Sequence, residues 1–398
     1  PQPISVSSAT YSGRVAALAI HPLYDGVNNK TIYVGGAQGG LWRSTDGGTN
    51  WTPLIDDQPS LAVGSIAIDP TNPLNIFVGT GEGNRAGDTY YGAGLLKSTD
   101  GGATWKVITG PTSTVVPLKP VFVNSAICAL AIDPVSPNIM FAGTTTGNTS
   151  SASGSAYAVE STKQKGLWRS TDFGETWTNV DPDASGGGQS AHSVVFDPLN
   201  HNTVYCSIRS RGIYRSTSGG TAGSWVKLTN GVANTSGSSP TFLRCEVSAG
   251  PAVAPATAAT LYAVFASASS DNVLGIYRST DGGDNWTQVT TPSTGSQAGY
   301  NMALAVDPTD GNILYYGGQT TPVVRSKDGG QTWSSVVNGS LHADTHATQH
   351  RAHGRRQARE MPRRDVVQPL ARRDHQGLGP HREHPQQQHP GGGLAHVV

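Results

Sequence analysis

The sequence predicts an all-β protein, a β-propeller of four-stranded blades with six complete blades and the start of a seventh. Three observations lead to this fold class. One turn motif is written in five intact copies and one degenerate copy, apolar runs of strand length precede each copy, and the unit recurs about every fifty to seventy residues. A period of this length, with β-branched and aromatic enrichment, is typical of propeller blades.

The motif, which we name the repeated turn, has the pattern S-x-D-x-G-x-x-W. Its intact copies are Ser44–Trp51, Ser98–Trp105, Ser170–Trp177, Ser279–Trp286 and Ser326–Trp333. The degenerate copy, Ser216–Trp225, has Ser218 where the others have Asp. Ser and Asp side chains can bond the backbone of the turn, Gly can take a positive φ, and Trp can cover the turn. We therefore interpret the motif as structural and not as an active site.

Each unit contains four runs in a fixed order. The first is apolar and ends in an acidic or polar residue followed by Pro, as in VAALAIHP from Val15 and CALAIDP from Cys128. A second apolar run follows, such as TIYVGG from Thr31. The third run, such as GLWRS from Gly40, leads into the repeated turn, and a short fourth run follows the Trp. The near-continuous apolar first run predicts the innermost strand of each blade.

The strand order also assigns the loops to two faces of the ring. Consecutive strands of a blade run up and down, so the repeated turns lie on one face. The opposite face, which we name the loop face, carries the connections between second and third strands and the segments that lead into each first strand. The long loops fall there, at residues 81–94, 143–166 and 266–275. We therefore expect function on the loop face.

Composition excludes some classes of function. Charged residues are only 14% of the chain, with 27 basic and 27 acidic side chains, so no global field attracts nucleic acid or an acidic membrane surface. No apolar run approaches the roughly 18 residues of a membrane span. The chain begins at Pro1 without a signal peptide, as expected of a mature or trimmed form. Cys128, Cys206 and Cys245 follow no metal spacing and are expected to be buried free thiols.

The repeated turn resembles the Asp-box, also called the bacterial neuraminidase repeat. This repeat occurs in sialidases, in xyloglucan-cleaving hydrolases, in sortilin-type receptors, in a photosystem assembly factor and in many secreted bacterial propellers. The stretches GRVAALAIHP and YVGGAQGGLWRSTDGGTNW look most like the last group. The resemblance covers residues 1 to about 341 and implies the fold more strongly than the function.

Resemblance to the xyloglucan-cleaving group implies a catalytic Asp after the second strand of the first blade, in a pattern like R-T-D-V-G-G. The matching stretch here begins at Gly35 and places Ala37 at the position of that carboxylate. Glycoside hydrolysis normally needs two carboxyl groups roughly 5 to 10 Å apart. The loop face offers Glu82 and Asp88 in one loop and Asp271 from another blade. A solvated or turn-capping role is the alternative for Glu82 and Asp88.

Resemblance to sialidases implies three arginines that hold a substrate carboxylate and a Tyr paired with a Glu as nucleophile. Arg14 resembles the first such arginine, and Arg85, Arg211 and Arg244 could add positive charge. The usual sialidase contexts of the arginines and the nucleophile are not reproduced, and loop-stabilising ion pairs are the alternative role. Tyr90, Tyr91 and Tyr300 could stack on sugar rings.

Histidines suggest two further sites. His192 lies within a first run, where a satisfied core or channel histidine is expected rather than a catalytic one. His342, Asp344 and His346 alternate as on one side of a strand and form the sharpest candidate for a divalent metal, although any exposed strand shows the same alternation. No cofactor is otherwise required by the sequence.

Beyond Leu341 the composition changes. Residues 342–398 hold nine of the twelve His and no Lys, Ile, Phe, Tyr or Trp, so this tail is not expected to form a blade. We predict an Asp-box propeller at residues 1–341 and an aberrant tail at 342–398. A frameshift just after Ala347 would give such a tail, because GC-rich DNA read out of frame encodes Arg, Pro, His, Gln, Gly and Ala. A natural disordered basic segment that binds a polyanion is the alternative.

These observations lead to a functional hypothesis. The sequence favours an extracellular or periplasmic, carbohydrate-active propeller that resembles glycoside hydrolases, with its site on the loop face and a polysaccharide or glycan as partner. A glycan-binding module without turnover and a scaffold with a protein partner remain as alternatives.

Overall fold

The computed structural model describes residues 14–84, 89–112, 120–145, 165–182, 188–232, 241–319 and 323–336. Within these ranges the regular elements are twenty-four strands, arranged as six four-stranded sheets. The predicted fold class, an all-β propeller with six complete blades, is confirmed.

The blades follow one another along the chain. Blade 1 contains β1 (Val15–Ile20), β2 (Ile32–Gly36), β3 (Leu41–Ser44) and β4 (Thr52–Pro53). Blade 2 contains β5 (Val63–Ile68), β6 (Ile76–Thr80), β7 (Leu95–Ser98) and β8 (Lys106–Ile108). Blade 3 contains β9 (Ala126–Ile132), β10 (Met140–Thr145), β11 (Gly166–Ser170) and β12 (Thr178–Asn179). Blade 4 contains β13 (Ala191–Phe196), β14 (Val204–Ile208), β15 (Gly212–Ser216) and β16 (Trp225–Leu228). Blade 5 contains β17 (Phe242–Gly250), β18 (Thr260–Ser267), β19 (Val273–Ser279) and β20 (Thr287–Val289). Blade 6 contains β21 (Ala303–Val306), β22 (Leu314–Gly317), β23 (Val323–Ser326) and β24 (Ser334–Ser335).

Each sheet is an antiparallel meander in which every strand pairs with the next one in sequence. The first strands of consecutive blades, from β1 through β5, β9, β13 and β17 to β21, pack against one another. Apolar clusters fill the spaces between consecutive blades, for example the cluster of Phe77, Phe122 and Trp177 between blades 2 and 3. The near-continuous apolar first runs are therefore the inner strands, as predicted.

A β-bulge occurs near the start of the first strand in five blades. The register of each pair of first and second strands shifts by one residue there, and the bulges contain Ala16, Gly64, Cys128, His192 and Arg244. A bulge adds one residue to one strand and re-aims its side chain. Each of these blades thus presents one bulge residue at the loop-face end of its innermost strand.

The repeated turn forms the hydrogen bonds that its residue types predict. In the first copy, the Ser44 hydroxyl donates to Asp46 at 2.8 Å and accepts from the Gly48 amide at 2.8 Å. Asp46 accepts from the amides of Thr49 and Asn50, each at 2.9 Å. The Trp51 indole donates to the Gly48 carbonyl at 3.0 Å. The motif therefore satisfies its own polar groups and offers no free catalytic group.

A cation that precedes the Ser of the turn connects neighbouring blades. Four such side chains donate to the carbonyl of the fourth residue in the next repeated turn. The pairs are Arg43 to Gly101 at 3.0 Å, Lys97 to Phe173 at 2.8 Å, Arg169 to Gly219 at 2.9 Å, and Arg215 to Gly282 at 2.9 Å. We name these contacts inter-blade bonds. They extend the motif by one residue, and sequence reasoning did not anticipate them.

The aspartates of the turn make stability depend on acidic pH. Hydrogen bonds, led by those from the Thr104 and Thr332 hydroxyls, lower the pKa of Asp100 and Asp328 from 3.8 to about 2. A carboxylate whose pKa is lower in the folded than in the unfolded protein stabilises the fold at pH values above its unfolded-state pKa. That stabilisation is lost as the pH falls through its folded-state pKa. We expect the free energy of unfolding to decrease between about pH 4 and pH 2, measured by urea denaturation.

The matched variant is Asp100→Asn, which removes one of these carboxylates and should flatten the pH dependence over the same interval. Asp57→Asn is the control, because Asp57 is exposed and lies outside the repeated turns. An unchanged slope in Asp100→Asn would contradict the assignment of this pH dependence to the turns.

Candidate functional site

Polar side chains from four blades meet at the loop-face centre of the ring. We name this set the central polar cluster; its members are Arg14, Glu82, Asn84, Arg244, Glu246 and Tyr300. Arg14 immediately precedes β1, the inner strand of blade 1, and Glu82 follows β6, the second strand of blade 2, so both lie on the loop face. The structure thus brings together the predicted residues Arg14, Glu82, Arg244 and Tyr300.

Arg14 and Glu82 form a buried ion pair. The guanidinium nitrogen lies 2.5 Å from the carboxylate, and the side chains are 22% and 0% exposed. Two backbone features position Glu82: its amide donates to the Tyr90 carbonyl at 2.9 Å, and Gly81 before it has φ +88°. A carboxylate buried this deeply needs a cation partner, and Arg14 provides it.

Arg244 spans the centre of the ring. From blade 5, its guanidinium donates to Asn84 of blade 2 at 3.0 Å and to the Tyr300 carbonyl at 3.1 Å. The other terminal nitrogen bonds Glu246 and donates to the Met302 carbonyl at 3.3 Å. The Arg244 bulge in β17 is what directs this side chain inward. One side chain therefore connects blades 2, 5 and 6.

Glu246 is a carboxylate that the sequence reasoning did not select. Its side chain is 14% exposed and paired with Arg244. Burial raises the pKa of Glu246, and the opposing effect of the Arg244 guanidinium does not cancel it. The available signal was a second charged residue, at position 246, in the same first run as Arg244.

The predicted aromatic residues have different environments. The Tyr300 ring lies 5.6 Å from the Arg14 guanidinium carbon, within cation–π distance. Tyr90 is 57% exposed, and Tyr91 is half-buried with a carbonyl that accepts from Ser60 at 3.3 Å. Tyr90 therefore offers the most open aromatic face of the three.

Asp271 connects two loops. Its carboxylate accepts from the Gly299 amide at 2.9 Å, and its carbonyl accepts from the Ala298 amide at 2.6 Å. Asp271 also has φ +55°, a left-handed conformation that Asp tolerates in turns. These contacts fix the segment that precedes Tyr300, so Asp271 has a structural role in joining the two loops.

Several predicted residues lie outside the described residues, namely Arg85, Asp88, His342, Asp344 and His346. Arg211 is described, and its amide donates to the Ile208 carbonyl at 3.0 Å in the loop between β14 and β15. Across the described ranges no cluster of three or more His, Cys, Asp or Glu is placed to hold a metal ion. Over the same residues no helix is long and apolar enough to cross a membrane.

Chemically, the cluster combines two guanidinium groups, two carboxylates, an amide and an aromatic ring. Such groups can bond sugar hydroxyls or a carboxylate while the ring packs on an apolar sugar face. The fold and this site define a propeller with a polar centre on one face.

The chain is similar in sequence to xyloglucanases. A xyloglucanase of a Paenibacillus species is 28% identical over 287 residues, which cover 71% of this chain and 21% of that enzyme. Xyloglucanase Xgh74A of Acetivibrio thermocellus is 31% identical over 218 residues, 48% of this chain and 23% of that enzyme. The chain therefore spans less than a quarter of the length of either relative. No protein-family profile matches it.

Among solved structures, an ancestral GH74 enzyme superposes with a TM-score of 0.58 and 23% sequence identity. The alignment covers 79% of this chain and 36% of that enzyme. This likeness concerns the propeller fold.

The buried ion pair gives a stability prediction. Arg14→Met leaves the Glu82 carboxylate buried without this partner, which is expected to lower the free energy of unfolding by about 3 kcal/mol. The double variant Arg14→Met with Glu82→Gln should recover part of that loss, because the uncompensated charge is gone. Chemical denaturation of the wild type, both single variants and the double variant measures the coupling.

Lys106→Met serves as the control. Lys106 pairs with Glu175 at 2.6 Å, but the two side chains are 63% and 41% exposed. An exposed pair is worth less than about 1 kcal/mol. Equal decreases in the free energy of unfolding in Arg14→Met and Lys106→Met would contradict the prediction that the buried pair contributes more to stability than the exposed one.

Proposed function

We propose that this chain is a carbohydrate-active propeller of the glycoside hydrolase type, with its site on the loop face. The supporting observation is the sequence similarity to xyloglucanases, which reaches 31% identity. We also propose xyloglucan as the polysaccharide and the Asp-box as the identity of the repeated turn. A polysaccharide too large to cross a membrane is met outside the cytoplasm, and we place the protein there.

Two described carboxylates of the central polar cluster suit the chemistry. Hydrolysis of a glycosidic bond needs a carboxylic acid that gives a proton to the leaving oxygen and a carboxylate that attacks or activates water. Glu246 has the raised pKa that favours a proton donor. Glu82, paired with the Arg14 guanidinium, is suited to the role of the carboxylate.

A second candidate function is glycan binding without turnover, and Ala37 favours it. The Ala37 amide donates to the Arg14 carbonyl at 2.8 Å, so position 37 lies at the loop-face end of blade 1. Its methyl group can neither take nor give a proton. Tyr300 and Tyr90 would then provide the sugar contacts.

The two functions are separated by measuring retention and reducing-end release together. Xyloglucan is the test polymer, with an unbranched β-glucan and a sialylated glycan for comparison. For the hydrolase, we expect release from xyloglucan, and Glu246→Gln should lower it about 100-fold, the contribution of a general acid. Retention should change little in that variant.

Glu175→Gln is the matched control. Glu175 lies in the repeated turn of blade 3, away from the central polar cluster, and pairs with Lys97 and Lys106 of blade 2. Retention without release would support glycan binding. Absence of both with every polymer would overturn a carbohydrate-directed function.

We also propose that residues 1–341 form the propeller, that residues 342–398 are an aberrant tail, and that the reading frame shifts within this tail, just after Ala347. Within the described part of the chain, apolar clusters join the blades in order from 1 to 6, and none of them joins blade 6 to blade 1. A further blade between them would supply that contact.

The coding DNA tests this proposal directly. Translation of the DNA beyond codon 347 in the other two frames is expected to recover an apolar run ending in Asp-Pro and another S-x-D-x-G-x-x-W turn. Their absence from both frames would favour the native basic tail.

A further inference from the structure

Two deeply buried nitrogens at the loop-face centre have no hydrogen-bond partner among the described residues. They are Nε of Arg244 and Nε2 of His192. The two residues are 5% and 8% exposed. The hydrogen bonds of the Arg244 guanidinium to Asn84, Tyr300, Glu246 and Met302 use its terminal nitrogens, so the Nε–H group remains for a further acceptor. A buried donor without an acceptor is unfavourable, and such a pair points to a missing ligand.

The two nitrogens belong to adjacent strands. His192 and Arg244 are the bulge residues of β13 and β17, which pack against each other. The Val247 amide of β17 donates to the Ser193 hydroxyl of β13 at 3.0 Å, which fixes the two strands side by side. Equivalent bulges on adjacent strands aim both side chains toward the centre of the ring.

The local charge favours an anion. Burial lowers the pKa of His192 well below its ordinary value, and the positive charges of Arg244 and Arg209 lower it further. Burial and then Arg209 also lower the pKa of Lys165, which precedes β11. The Glu246 carboxylate is bonded to a terminal nitrogen of Arg244 and not to its Nε. An anion beside Nε would complete the pairing of the guanidinium and offset the remaining positive charge.

We propose that a small oxyanion, a carboxylate or a phosphate, binds at the centre of the loop face between Nε of Arg244 and Nε2 of His192. One oxygen accepts from the guanidinium, and another accepts from the imidazole in its Nε2–H form. Cys128, the bulge residue of β9, lies on the other side of β13, where its sulfur bonds the Ala191 carbonyl at 3.2 Å. The site is independent of the proposed hydrolase chemistry, because it uses neither Glu82 nor proton donation by Glu246.

The binding test uses the full chain at constant ionic strength and neutral pH. Acetate, glucuronate and inorganic phosphate are titrated by calorimetry, with chloride as the reference anion. We expect saturable binding of at least one oxyanion. His192→Leu should weaken it about tenfold, the effect of one lost hydrogen bond to a charged group. His192→Gln keeps a side-chain N–H donor and should retain more affinity than His192→Leu.

His201→Leu is the matched control, because His201 bonds Asp133 at 3.0 Å in the loop between β13 and β14, on the face of the repeated turns. It should bind the oxyanion like the wild type. The comparison of acetate and glucuronate with phosphate distinguishes a carboxylate site from a phosphate site. Binding no stronger than that of chloride for all three, or equal affinity in His192→Leu and the wild type, would overturn the proposal.

Cys128 provides a second measurement that does not depend on calorimetry. It is half-buried, whereas Cys206 and Cys245 are buried, so slow alkylation should mark Cys128 first. Burial raises the pKa of the Cys128 thiol to about 12, so little thiolate is present in mildly alkaline buffer and alkylation is slow enough to follow with time. The bound oxyanion is expected to slow alkylation of Cys128 by iodoacetate, followed by peptide mass spectrometry. No protection by any oxyanion in the wild type, or the same protection in His192→Leu, would contradict the site.

Discussion

The structure depends on the hydrogen bonds within the repeated turns and on the four inter-blade bonds that join consecutive turns from blade 1 to blade 5. The Ser and Asp side chains close the turn internally, so the turn is rigid without help from solvent. The cation before the Ser then donates across the gap to the following turn. Because a propeller blade contacts mainly its neighbours, these bonds and the apolar clusters beside them set the spacing of the inner strands. The spacing of the inner strands in turn decides which side chains meet at the centre.

The central polar cluster is a consequence of that spacing. Arg244 can bond Asn84 only because blades 2 and 5 face each other across the ring. The members of the central polar cluster are far apart in sequence. Because they are buried, their charges must be paired, since an unpaired buried charge would lower the stability of the folded protein. The same burial keeps the Glu246 carboxyl less acidic than an exposed one. The paired guanidinium and carboxylate groups of the cluster can bond neutral sugar hydroxyls, as the proposed carbohydrate-directed function requires.

The sequence predicted the fold because the propeller is encoded locally and repeatedly. Apolar runs and the repeated turn specify each blade within one stretch of chain, and the antiparallel order then follows. It selected Arg14, Glu82, Arg244 and Tyr300 from loop lengths and from resemblance. Pairing partners were not predictable in the same way, because the bulge that aims Arg244 changes the register of β17 by one residue. The role of Asp271 was not predictable either, because its carboxylate bonds the Gly299 amide of a neighbouring loop and the sequence does not specify how the two loops pack.

The bulges also bear on how such a ring can diverge. Each lies at the same place in an inner strand, where the extra residue takes no part in the regular ladder. The side chain there differs from blade to blade, as in Ala16, Cys128 and His192. Gly64 is the exception, because a Cβ at that position would lie 2.2 Å from the Gly81 carbonyl oxygen. Duplicated blades that start out identical would acquire distinct chemistry first at these positions. Except at Gly64, the bulge position of each inner strand is therefore a site at which evolution or a designer can change one side chain per blade while the scaffold stays the same.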